Sequence, residues 1–118
     1  MINASWCVVT YNFGIRVQRG EFAQTGGTNN IAISPVASMN QAFILYSKTP
    51  TATDVIWSED DPIVGELTAT DTMQFRVGGA NSGHTISWEV VEFLDPADVY
   101  VQTLTTSLAA NEAMVEDR

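Results

Sequence analysis

Thr72-Met73-Gln74-Phe75-Arg76-Val77 decides the fold class. Met73, Phe75 and Val77 fall on one side of an extended chain and Thr72, Gln74 and Arg76 on the other, the period of two that marks a half-buried β-strand. Upstream, residues 63–69 are separated from it by Thr70-Asp71, short enough for a hairpin turn. Downstream, Val77-Gly78-Gly79-Ala80-Asn81-Ser82-Gly83 turns the chain into residues 85–93. The three segments together predict an antiparallel meander. In 85–93, Ile86, Trp88 and Val90 share one face while Val91 and Phe93 take the other. The strand is therefore central and covered on both sides, or a bulge near Val90-Val91 exchanges its faces. The run Ala42-Phe43-Ile44-Leu45-Tyr46, apolar on both faces, also predicts a central strand.

Further strands are expected at 5–11, 15–22, 30–34, 55–57 and 99–105, with all four prolines between them, where a missing N–H breaks no ladder. Val, Ile and Thr supply 33 residues and Leu only 5, and branching at Cβ favours a pleated surface over a helix. The expectation is one all-β domain, an antiparallel two-sheet β-sandwich of jelly-roll-like form. Residues 1–14 would be an N-terminal arm and first strand, 15–105 the sandwich and 106–118 a C-terminal tail.

The chain has 118 residues, 45% of them apolar, and a net charge of −9. Residues 1–59 balance Arg16, Arg19 and Lys48 against Glu21, Asp54 and Glu59, so the whole excess lies in residues 60–118. An acidic surface repels phosphate, which argues against nucleic acid and anionic membrane as partners and suits a basic protein. The longest apolar run is far too short to span a bilayer, and no signal peptide is expected, because no Lys or Arg precedes Arg16.

The residues offer little to catalysis. His84 is the sole imidazole; Ser82, Ser87 or Cys7 would have to be its nucleophile. Its place between a glycine-rich turn and a strand predicts an exposed turn histidine. Cys7, beside Trp6, Val8 and Val9, reads as a small buried apolar residue. Glu66, Glu89 and Glu92 lie in strands and are expected on the solvent face. Gly78 and Gly83 have the outer spacing of a phosphate loop, but His84-Thr85 stands where Lys-Ser/Thr is needed, and a strand follows instead of a helix. Ser58-Glu59-Asp60-Asp61-Pro62 concentrates three carboxylates that could hold calcium, without the spacing of an EF-hand loop, and reads as a solvated acidic loop. No catalytic residue, cofactor or metal is assigned. Trp88 reads as core, whereas Trp57 and Trp6 are candidate interface anchors.

Val17-Gln18-Arg19-Gly20-Glu21-Phe22, Ala42-Phe43-Ile44-Leu45-Tyr46-Ser47, Gly65-Glu66-Leu67-Thr68 and Ile86-Ser87-Trp88-Glu89-Val90-Val91-Glu92-Phe93 occur in this order. The pattern resembles β-rich structural proteins of tailed bacteriophages, over about residues 15–94. The resemblance implies a non-enzymatic virion component, a capsid decoration (cement) protein on the capsid surface. Its partner would be the major capsid protein, and by analogy it would be a homo-oligomer, a trimer. Arm residues Met1, Ile2 and Trp6 and tail residues Leu108, Met114 and Val115 would bury against neighbouring subunits. The alternative is a tail or fibre module that recognises host glycans through Trp57 and the carboxylates Glu59 to Asp61.

Overall fold

The computed structural model describes residues 5, 7, 8, 10, 13–54, 56, 61–78, 83–97 and 99–102. They form six strands: β1 (Ile15–Ala23), β2 (Gly27–Ala32), β3 (Ala42–Thr49), β4 (Ile63–Ala69), β5 (Thr72–Val77) and β6 (Thr85–Phe93). A single 3-10 turn at Met39–Gln41, capped by the Ser38 hydroxyl, precedes β3. The strands make two antiparallel sheets of three, ordered β1-β6-β3 and β2-β5-β4. The protein is all-β, as its composition predicts, and β4 and β5 form the expected hairpin across Thr70-Asp71.

The predicted meander is overturned at its third strand. β6 leaves β5 and becomes the centre of the other sheet. β5 is already flanked by β2 and β4, and β6, apolar on both faces, lies between β1 and β3 instead. Its register runs unbroken from Ile15↔Phe93 to Ala23↔Thr85, so it is central without a bulge. The irregularity falls in β4, between Leu67 and Ala69. The central placement predicted for Ala42 to Tyr46 is also corrected: among the described residues β3 pairs with β6 alone and is an edge. Its apolar residues divide, with Ala42 and Ile44 in the core, Phe43 stacked on Phe93 at 6.2 Å and Leu45 exposed. Residues 5, 7, 8, 10, 56 and 99–102 adopt no strand; the remainder of the expected strands at 5–11, 55–57 and 99–105 lies outside the described residues, as do 1–4 and 106–118.

Opposed residues of an antiparallel pair point to the same side of a sheet. The inner face of β2-β5-β4 therefore carries Ile31, Met73, Phe75, Val77, Ile63 and Leu67, and that of β1-β6-β3 carries Phe22, Ile86, Trp88, Val90, Ala42 and Ile44. Phe75 joins the two layers, meeting Phe22 at 5.1 Å and the edge of Tyr46 at 5.2 Å. Two glycines make room for aromatic rings. A Cβ on Gly65 would stand 2.5 Å from Phe75 Cε1, and one on Gly20 would stand 2.5 Å from Trp88 Cζ2.

Side chains close the two sides of the stack where no strand does. On one side, residues 33–37 cross from one sheet to the other. Ile33 and Val36 donate to the hairpin carbonyls of Asp71 and Thr70, and the Gln18 amide both donates to Ser34 O and accepts from Ser34 N–H, each at 2.8 Å. Gln18 thus acts toward this segment as a backbone unit of a neighbouring strand would. On the other side, the Tyr46 hydroxyl donates to Ile63 O and accepts from Gly65 N–H, both at 3.1 Å, and so bridges β3 to the edge of β4. Backbone groups two residues apart share a strand edge. Leu67 N–H and C=O consequently face an open groove of about 920 Å³, lined by Phe43, Ile44, Leu67 and Val101 among others.

Candidate functional site

Gly83 has φ +70°, a conformation that costs a glycine little and swings the chain inward before β6. The next residue, His84, is therefore completely buried, and its carbonyl accepts from Gln24 N–H at 2.7 Å. The exposed turn histidine expected from the sequence is corrected here, because the flanking glycines shape the turn without keeping the side chain in water. The imidazole Nδ1 accepts the Thr51 backbone N–H at 3.1 Å, and Nε2 lies 2.8 Å from Asp54 Oδ2 and 4.0 Å from Asp61 Oδ1. The Lys48 ammonium is bonded to Asp61 Oδ1 and lies 3.3 Å from the Asp61 carbonyl.

These contacts fix the chemistry. A ring nitrogen that accepts carries no proton, so in the neutral ring the proton sits on Nε2, which lies 2.8 Å from Asp54 Oδ2. A histidine arranged this way offers no lone pair to a substrate. The ligand atoms of Asp54, Asp61 and His84 lie within 4.8 Å of one another, close enough to surround an ion. Metal coordination through Nε2 would require the proton to move to Nδ1, where the Thr51 N–H already points, and Lys48 already occupies the cation's place beside Asp61. The cluster is a polar network that ties the chain after β3 and the chain before β4 to the start of β6.

Other expectations change with burial. Glu92 is 2% exposed: its Oε1 accepts Ala37 N–H and its Oε2 pairs with Arg16 Nη2, both at 2.6 Å, so it faces inward as the anchor of residues 33–37. Glu66 and Glu89 lie at the surface, paired with Arg76 at 2.9 Å and Arg19 at 2.6 Å. Cys7 is exposed, not buried. Trp88 packs on the core as expected. Met1, Ile2, Trp6, Trp57, Leu108, Met114 and Val115, the interface residues expected from sequence, lie outside the described residues, as do Glu59 and Asp60. Asp54 and Lys48 were not singled out in the sequence, for Asp54 meets His84 from 30 positions away and Lys48 joins through Asp61; the signal present was a lone histidine following a glycine.

A second feature is the outer face of β1-β6-β3. Its cross-strand rows read Ile15–Phe93, then Val17–Val91–Phe43, then Arg19–Glu89–Leu45, then Glu21–Ser87–Ser47. One half is thus uncharged and apolar, and the other is polar. Val17 is 39% and Leu45 52% exposed, and no described element covers them; Phe13 and Leu94 extend the apolar end. The opposite outer face, on β2-β5-β4, presents Thr28, Asn30, Thr72, Gln74, Arg76, Glu66 and Thr68 around Val64, which is 49% exposed.

No protein-family model, curated protein or solved structure matches this chain. No described helix is long and apolar enough to cross a membrane. Each described cation, Arg16, Arg19, Lys48 and Arg76, is paired with a carboxylate of the same chain.

Proposed function

We propose that this chain is a non-enzymatic structural protein of a virion, a jelly-roll-like β-sandwich that decorates and cements the head of a tailed phage by bridging major capsid protein subunits. One observation carries the reading: β1-β6-β3 carries apolar residues on both faces, and on its outer face Val17 and Leu45 are exposed. Exposed apolar side chains on a sheet face mark the kind of surface that binds protein. The internal pairing of the basic side chains leaves the acidic excess to face a basic shell. Segments 1–14 and 106–118, with Met1, Ile2, Trp6, Leu108, Met114 and Val115, would add contacts to neighbouring subunits.

The test is the copy number of the chain in purified particles, measured by quantitative mass spectrometry. On the order of hundreds of copies is expected for a component repeated over a symmetric shell. A few copies would assign it to the tail, and absence from particles would overturn the virion reading.

A further inference from the structure

We propose that the groove between β3 and β4 is a docking site for this chain's own residues Thr103-Leu104-Thr105, which join the edge of β4 as a short added strand. The path of the chain names this occupant. Val101 N–H donates to Asn40 O at 2.7 Å, just before β3, and Val101 and Gln102, the last described residues, line the groove together with Phe43, Ile44 and Leu67. Residue 103 therefore starts at the groove, and a rise of about 3.3 Å per extended residue carries the next two along it without a linker. Tethered at Gln102, they meet the groove at an effective concentration on the order of millimolar, which a second copy does not match in dilute solution.

The edge of β4 fits what arrives. Leu67 N–H and C=O point into the groove, and no described residue bonds either group on that side. An unpaired strand edge is a template for one more strand. Ile63 O and Gly65 N–H, on the same edge, are already held by the Tyr46 hydroxyl, so the open stretch is short and a three-residue strand suits it. Threonine favours extended backbone, and alternation sets Leu104 opposite Thr103 and Thr105, as a strand with one apolar side requires. Charge agrees, for residues 99–111 carry none and bring nothing to repel Glu66 in the groove wall.

Amide hydrogen exchange of the full chain, read residue by residue by NMR at about 50 and about 500 µM, tests this. The Leu67 amide is expected to exchange at least about 100-fold more slowly than in a free peptide, equally at both concentrations. Leu104→Asp should speed that exchange at least about tenfold, and Leu104→Ala should do so by less. The amide of Phe75, on the central strand β5, reports whether each variant is folded; if Leu104→Asp loses protection there as well, Leu104→Ala decides. A Leu67 amide as fast as in a free peptide, or protection that the folded variants keep, would overturn the proposal. Protection that grows with concentration would overturn it too, by placing the segment of a second copy in the groove. The virion reading is tested by copy number in particles, so either can fail without the other.

Discussion

A single methyl group added to Gly65 would enter the space held by two rings at once, 2.5 Å from Phe75 and 2.9 Å from Tyr46. Neither ring can retreat cheaply, since Phe75 is wholly buried and Tyr46 is tied by its hydroxyl to both Ile63 and Gly65. Gly65→Ala should therefore lower stability by about 1–3 kcal/mol in chemical denaturation, overpacking outweighing the smaller gain in chain entropy. Gly27 is the contrast: its φ of +79° permits glycine, but nothing lies within 4 Å of its Cβ position. Sequence alone does not distinguish these two glycines. It shows that the backbone is freed there, but not which ring arrives from another strand.

At the scale of elements, the ion pairs differ by where their strands place them. Lys48, from β3, and Asp61, just before β4, have 19% and 8% exposed side chains, whereas Arg19 and Glu89 have 69% and 40%. Lys48→Met leaves a buried carboxylate without its cation and should cost about 2–4 kcal/mol, while Arg19→Met should cost under about 1 kcal/mol, both read from urea midpoints. Six of the expected strands were legible, but the described residues of 5–11, 55–57 and 99–105 form none. The alternation of β5, the two-sided β6 and the Thr70-Asp71 turn all follow from periodicity. What periodicity does not carry is which strand lies beside which. A period of two assigns faces and leaves neighbours open, so β6 was placed next to β5 and β3 was moved to the middle. The His84 network was hidden for the same reason: Thr51, Asp54 and Asp61 are brought to His84 by the pairing of β3 with β6, not by spacing. The apolar run at 42–46 was visible, but that Leu45 within it is exposed needed the sheet order.

For the molecule as a whole, the four ion pairs among the described residues stabilise locally while a net charge of −9 opposes compaction. Screening acts on both. Two of the pairs include a carboxylate less than 10% exposed and are screened little, whereas the long-range self-repulsion of the net charge is screened strongly. Raising sodium chloride from about 20 to about 500 mM should therefore raise the melting temperature by a few degrees. A fall would mean that surface pairing, not self-repulsion, dominates the balance.

The sheet order also governs how the chain can be made. β6, the last strand described, is the one to which both β1 and β3 are bonded. While a ribosome is still translating, the β4-β5 hairpin and the β2-β5 pairing have their partners in hand, but β1 and β3 have none until Phe93 has cleared the exit tunnel. Half of the protein is thus committed to waiting, with Ile44, Phe43 and Leu45 on show. A nascent chain arrested before residue 85 would carry one finished sheet and two sticky, unmatched strands, a ready client for chaperones.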